Sequence, residues 1–341
     1  MSAHVGRTRR RGSVMADVAR LAGVSHQTVS RVLNESAHVR PETRARVLEA
    51  IRVLDYRPSS AARALATGRS RVLGVVSFDT TLYGPASTLF GIERAAHAEG
   101  YSVSVVSQES LDADSVLTAV ELLRGQGVDG IVVIAPQSAA TDSLGRLPAD
   151  VPLVAVETGS VASVPYVAVD QVAGAIMATE HLLGLGHRTV HHIAGPRGWT
   201  EADERVAGWR QALEAAGAEI CEPLCGDWSA GSGYGRGQEL MADRAVTAVF
   251  AANDQMALGL LRVLHELGRD VPGEVSVVGF DDLPEAPFFT PPLTTVRQDF
   301  NEMGRRSLHL LLGDLLVGTR SAKHVTIAPE FVVRASTAPA P

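Results

Sequence analysis

Between residues 14 and 57 the apolar positions fall at helical spacing. Residues 14–22 (VMADVARLA) set Val14, Val18 and Leu21 on one stripe, with Asp17 and Arg20 turned outward, which predicts an amphipathic helix. Gly23 ends it, and Ser25 is a suitable N-cap for the next, which is predicted to run to about Asn34 with Val29, Val32 and Leu33 inward. A third helix is predicted from Pro41, a favoured first helical position, to Leu54, with Val47, Ile51 and Leu54 on one side. Three short helices with a glycine turn between the first two match a helix-turn-helix.

From Arg71 the period changes. Short β-branched runs alternate with amphipathic stretches: VLGVVSF (72–78), YSVSVV (101–106), GIVVIA (130–135), PLVAVE (152–157) and YVAVD (166–170), with helices predicted through Gly91–Glu99 and Gly174–Leu185. VHHIAG (190–195), AVFAAN (248–253) and VSVVGFD (275–281) form a second series. Continuous apolar strands separated by helices predict parallel sheets covered on both faces. Two series predict two Rossmann-like lobes with a ligand cleft where the strand C-termini converge. The fold class is therefore an all-α helix-turn-helix head on an α/β body.

Charge sharpens this division. The net charge of −7 alone argues against nucleic acid, yet residues 1–71 hold 14 arginines against five acidic residues, while the remainder holds 17 basic against 33 acidic. A basic head on an acidic body is the asymmetry of an anion-binding module joined to something that avoids anions. The head's second helix carries His26, Gln27, Ser30 and Arg31 on its polar face. The major groove of DNA admits one helix and displays donors and acceptors on base edges; Gln pairs with adenine, Arg with guanine, and Ser or Thr with bases or phosphates. In residues 58–69 (PSSAARALATGR), Pro58 breaks the third helix, and Leu65 is the one bulky apolar residue of a run otherwise built of small and basic ones. Two readings of this run stand: a flexible linker, or a hinge helix formed on DNA with Leu65 wedged into the minor groove.

In the body, the polar residues just past the strand ends are the binding candidates: Glu157, Asp170, Asn253, Asp254, Asp281 and Asp282. Fixed acceptors and donors suit the hydroxyls of a sugar, and Trp228, inside GDWS, suits its apolar C–H face.

The run DVARLAGVSHQTVSRVLN, the later DYRP and AARALATG, and in the body AGP, CGDWSAGSGY, AANDQMALG, SVVGFDD and PPLTTVRQDF resemble the LacI/GalR family of transcriptional regulators over essentially the whole chain. The resemblance implies two lobes of the periplasmic-binding-protein type and a homodimer on a pseudo-palindromic, double-stranded operator. It also implies a small neutral sugar, such as a galactoside or other glycoside, that releases the DNA. The implied DNA contacts are Ser25, His26, Gln27, Thr28, Ser30, Arg31, Asn34, His38 and Tyr56, with Ala62 and Leu65 in the hinge. The implied effector contacts are Leu82, Pro85, Glu157, Asp203, Arg205, Trp228, Asn253, Asp281, Gln298 and Phe300. Against the family member its motifs match most, Glu157 replaces an Asp, Val169 an aromatic residue and Thr88 an Ile, and Asp203 takes the position of a sugar-binding Arg.

Other readings are weaker. GSGYGRG (231–237) lacks the Lys-Ser/Thr of a phosphate loop. No nucleophile elbow, HExxH or Cys–His arrangement is present, so no enzyme is expected, and no cofactor. Cys221 and Cys225 lack two further ligands for zinc, so no metal is expected. No run of 18 apolar residues and no secretory signal is visible, which predicts a cytoplasmic protein without a membrane span. A periplasmic-type binding protein would carry a signal in place of the head; a purine-type, corepressor-dependent regulator is the alternative within the family. The expected divisions are a basic, disordered tail (1–13), the DNA-binding head (14–57), the hinge (58–71), the two-lobed body (72–335) and a terminal tail (336–341).

Overall fold

The computed structural model describes residues 13–33, 38–56, 68–108, 113–135, 137, 144, 147, 152–157, 164–317 and 323–341. The chain divides into two compact units, 1–70 and 71–341.

The first unit holds α1 (Met15–Ala22), α2 (His26–Leu33) and α3 (Pro41–Val53). Gly23 closes α1 in the left-handed conformation at φ 63°, its N–H returning to the carbonyls of Ala19 and Arg20, a position where a side chain would be strained. The Ser25 hydroxyl accepts from the Thr28 N–H at 3.2 Å, satisfying one free donor at the start of α2. Pro41 opens α3. The core is Val18, Ala19, Ala22, Val29, Val32, Val47, Ala50 and Tyr56. Two corrections follow. Val14 and Leu21 are about half exposed, because α1 buries its Val18–Ala19–Ala22 face instead. Tyr56, expected at DNA, is 8% exposed and packs into this core.

The second unit is a pair of lobes. In the first, β1 (Val72–Phe78), β2 (Ser102–Gln108), β3 (Gly130–Ile134), β4 (Leu153–Val156) and β5 (Tyr166–Val169) form a parallel sheet with β11 (His324–Ile327), in the order β11-β5-β4-β3-β1-β2. Helices α4 (Tyr83–Ala98), α5 (Ala113–Gly125) and α10 (Phe300–Val317) cover it. In the second lobe β6 (His191–Ala194), β7 (Leu224–Cys225), β8 (Ala248–Ala251), β9 (Ser276–Asp281) and β10 (Thr294–Arg297) are parallel, and β12 (Glu330–Val332) pairs antiparallel with β10, in the order β12-β10-β9-β8-β6-β7. Its helices are α6 (Gln171–Gly184), α7 (Thr200–Ala216), α8 (Ala230–Leu240) and α9 (Asp254–Glu266). Central strands β1, β3, β4, β8 and β9 are buried almost end to end, as their unbroken apolar sequences require.

The chain crosses between lobes three times, after β5, after β10 and after β11. The crossings touch: Asp170 donates its N–H to the Ile327 carbonyl at 2.9 Å, and Gln171 donates to Gln298 at 2.8 Å.

The glycine-rich GSGYGRG is helix α8, packed closely on α9. A Cβ on Gly233 would stand 2.2 Å from the Met256 carbonyl oxygen, so its glycine serves helix contact. Residues 336–341 are not a free tail. Ser336 is fully buried, donating to the Val277 carbonyl at 2.6 Å and accepting from the Thr294 N–H at 2.8 Å, and Ala340 donates to the Leu185 carbonyl.

Candidate functional site

The C-terminal ends of the strands in both lobes open on a cleft of about 700 Å³. Its first-lobe wall follows β1: Thr81, Leu82, Tyr83, Gly84 and Pro85. The second lobe supplies Trp199, Glu201 and Arg205 beyond β6, Trp228 and Ser229 beyond β7, Asn253 and Gln255 beyond β8, Asp281 at the end of β9 and Gln298 beyond β10. Two sheets with convergent strand ends explain why residues so far apart in sequence meet here.

Arg205 organises the floor and is 2% exposed. Its Nε donates to Gln171 at 2.9 Å, and Nη1 donates to the Ala252 carbonyl at 2.6 Å. Nη2 stands 3.7 Å from Asp281, and the guanidinium lies 3.9 Å over the Phe280 ring centre. Gln171 donates onward to Gln298, which donates to Asp281 at 2.7 Å, closing a four-residue circuit across two of the lobe crossings. Asn253 caps α9 by accepting from the Met256 N–H and donates to the Trp228 carbonyl and to Gln255. Among the described residues, four of the six non-glycine residues at positive φ lie at these strand ends: Glu157 (60°), Trp228 (74°), Asp281 (106°) and Asp282 (54°). Such conformations cost on the order of 1–3 kcal/mol each and persist where surrounding contacts over-determine them.

Burial sets the charge state. It pushes the Asp281 carboxyl up to about 6, against the pull of Arg205 and the Gln298 hydrogen bond. It pushes Glu201 up to about 7, again opposed by Arg205, with Asp281 adding to the rise. Glu157, hydrogen-bonded by Thr88 and wholly buried, is held well above the carboxylate range by burial and then by Glu201; its second oxygen has no partner.

Leu82, Pro85, Arg205, Trp228, Asn253, Asp281 and Gln298 line the cleft together. Others stand elsewhere. Asp203 is exposed on α7, two residues past Glu201, because the helix turns the 201 and 205 positions inward and 203 outward. This corrects its placement at the ligand. Phe300 opens α10 within the first lobe's core, edge-on to Tyr83 at 5.6 Å, and so backs the wall without lining it. Glu157 lies beneath the surface. Asp254 is fully buried, accepting from the Leu283 N–H and Thr295. Asp282 pairs with Arg297 and Arg334, and Asp170 caps α6. Trp199, Glu201, Tyr83 and Gln255 were not expected. Glu201 and Arg205, four apart, carried the helical signal that would have found them.

In the head, His26, Gln27 and Arg31 are exposed along α2, Thr28 and Ser30 are half-buried, and Ser25 and His38 are exposed. Thr28 exchanges a hydrogen bond with Ser25 at 2.9 Å. Asn34, Ala62 and Leu65 lie outside the described residues. No group of three His, Cys, Asp or Glu among the described residues could hold a metal ion, and no helix among them is long and apolar enough to cross a membrane.

Residues 14–59 match the lacI family of bacterial regulatory proteins, and residues 179–337 match the periplasmic binding protein-like domain. The chain is 34% identical over 335 residues to the lactose operon repressor of Escherichia coli K12, covering 95% of this chain and 90% of that protein. The chain belongs to the lacI family. Another member, the transcriptional regulator CelR of Thermobifida fusca, is 36% identical, with 96% and 99% covered. A lac repressor dimer solved with operator and the anti-inducer ONPF superposes with a TM-score of 0.89 at 32% identity, covering 96% of this chain and 100% of that one. A CelR–cellobiose complex superposes with a TM-score of 0.69 at 33% identity, covering 95% and 99%. As a lacI-family member this protein is a DNA-binding transcriptional repressor, with a helix-turn-helix head and an α/β body of two parallel-sheet lobes. Its relatives are transcription regulators rather than enzymes.

Proposed function

We propose that the cleft binds a small neutral sugar, and that this binding releases the head from an operator controlling sugar-utilisation genes in the cytoplasm. The observation that carries the reading is the chemistry of the lining. Two indoles, Trp199 and Trp228, and Tyr83 offer apolar faces beside the amides of Asn253, Gln255 and Gln298 and the charged groups of Glu201, Arg205 and Asp281. Sugars need both kinds of surface, because their C–H faces are apolar and their hydroxyls must all find partners when buried. Relatives solved with ligands support it: CelR with cellobiose and an Enterococcus faecium lacI-family regulator with ribose.

In this mechanism a homodimer sets two α2 helices in successive major grooves of a pseudo-palindromic site, Gln27 and Arg31 reaching base edges. The three crossings between lobes let the body take two arrangements, and the sugar favours the one that does not hold DNA, shifting the equilibrium by its differential affinity. A thermal-shift screen of mono- and disaccharides, with each hit then titrated into an operator complex, tests this. Release of DNA by a stabilising neutral sugar supports the reading. A hit that tightens DNA binding would instead make the ligand a corepressor, and stabilisation only by purines would refute the sugar assignment.

A further inference from the structure

The segment from β6 into α7 brings Trp199 and Glu201 to the cleft. Trp199 is held from both lobes. Its ring meets Phe78 of the first lobe edge-on at 5.5 Å and Trp228 of the second at 5.7 Å, and its backbone bridges to Gln137 of the first lobe. Two residues on, Glu201 presents a side chain 13% exposed. The nearest cation, Arg205, stands 4.0 Å away, beyond a hydrogen bond. Several polar groups of the floor are committed to one another: Arg205 to Gln171 and Ala252, Gln298 to Asp281, Asn253 to Trp228 and Gln255, while the buried indole N–H of Trp228 has no partner. Of the two carboxyl groups lining the cleft, Asp281 accepts from Gln298, whereas Glu201 accepts from no described residue. Glu201 therefore keeps acceptor capacity for a donor that a ligand brings into the cleft.

We propose that Trp199 and Glu201 select the ligand: Trp199 with Trp228 receives the apolar face of a sugar ring, and the Glu201 carboxylate accepts from two adjacent hydroxyls of it. The class so defined is an uncharged glycoside with a free vicinal diol. The proposal rests on the sugar reading above and narrows it. A carboxylate offers two parallel acceptors, which a vicinal diol meets with two parallel donors, as a guanidinium does. A ligand lacking one hydroxyl leaves one of the carboxylate's acceptors without its partner from the sugar. A phosphate or uronate would add an anion beside Glu201 and Asp281, with Arg205 already engaged.

The geometry also fixes a sign for pH. The charged and titratable groups around Glu201 are Arg205 and Glu204 on its own helix, Asp281 at the end of β9 and Glu157 beyond β4. With Glu201 raised to about 7, donation from the diol favours its ionised form, so binding expels a proton and affinity climbs with pH until about 7. Asp281 titrates lower, near 6, and is shared by wild type and a Glu201 variant, so their difference isolates Glu201.

Calorimetry on the full chain, wild type and Glu201→Gln, tests this between pH 5.5 and 8.5. The probes are neutral glycosides, their analogues with one hydroxyl of the diol removed, and sugar 6-phosphates. Wild type should gain about tenfold or more in affinity from pH 5.5 to 8 and lose about tenfold when one hydroxyl is removed. Glu201→Gln should bind the parent glycoside at least about tenfold more weakly at pH 8, lose its pH dependence above 6.5, and discriminate little against the deoxy analogue. Trp199→Ala should weaken every glycoside while leaving the pH profile in place. An unchanged deoxy ratio and pH profile in Glu201→Gln, with wild type binding glycosides well, overturns this proposal alone. A sugar phosphate bound tightest also overturns it. Failure of wild type to bind any glycoside would bring down the sugar reading and this proposal together.

Discussion

Replacing Arg205 by Met keeps an apolar stem against Phe280 and removes every polar contact of the guanidinium. Two buried acceptors, the Ala252 carbonyl and Gln171 Oε1, then lose their donors, at about 1–3 kcal/mol each. Asp281 loses the cation that opposes its burial, so its carboxyl, already near 6, rises further. Breaking a buried charge pair from one side costs about 3–5 kcal/mol, which agrees with the two lost donors taken alone. For a body of this size, about 2–4 °C per kcal/mol makes the fall in Tm about 6–20 °C. The sign with pH is determined as well. A carboxyl raised in the folded state contributes stability that is fully present below its unfolded value and is lost as pH rises through its folded value. The deficit of Arg205→Met should therefore be largest near pH 8 and shrink towards pH 5. Urea and thermal unfolding at both pH values, with Asp281→Asn and the double variant completing a cycle, measure it. A loss below about 1 kcal/mol, or a deficit that grows on acidification, would refute the account of Arg205 as the organiser of the cleft floor.

Three further outcomes are expected. Wild-type body stability without ligand should decline from pH 5 to 8, since Asp281 (about 6) and Glu201 (about 7) are both raised, and Glu201→Gln should flatten the upper part of that decline in urea unfolding. Gly233→Ala should destabilise by about 2 kcal/mol or more because its Cβ meets α9 backbone, while Gly235→Ala, with open space around it, should stabilise by about 0.5–1 kcal/mol; equal effects would show that helix contact is not the reason for the glycines. Gln27→Ala and Arg31→Ala should each cost about 1–3 kcal/mol at the operator and little on random DNA, as read by fluorescence anisotropy; equal losses on both would assign them to phosphates.

Legibility in the sequence followed the range of the physics involved. Helices α1 to α3 and the buried parallel strands were readable because caps, turn residues and apolar period are local signals, Gly23, Ser25 and Pro41 among them. The site was readable where it sits at strand ends, as Asn253 and Asp281 do. On α7 the resemblance pointed to Asp203, whereas helical period turns Glu201 and Arg205 inward and Asp203 outward. Tyr56 and Phe300 were misassigned because an aromatic ring at a motif end serves a core as readily as a ligand, and only packing distinguishes the two. Residues 336–341, small and proline-rich, give no periodic signal, yet Ser336 is bound into the second sheet by side-chain and backbone hydrogen bonds. Gln171 carried no signal either, since its role depends on two lobe crossings 127 residues apart.

Those crossings have a consequence for how the protein comes into being. Neither lobe is contiguous: the first waits for α10 and β11, the second for β12 and the segment around Ser336. A nascent chain emerging from the ribosome therefore exposes five strands of the first sheet and the bare α4 flank long before the residues that cover them are made. The helix-turn-helix, complete within its first sixty residues, can fold at once. A DNA-binding head would then exist on the growing chain before any ligand-responsive body, and only the last forty or so residues convert two unfinished sheets into a switch. Premature termination near residue 300 should accordingly yield a head without control rather than a smaller working repressor.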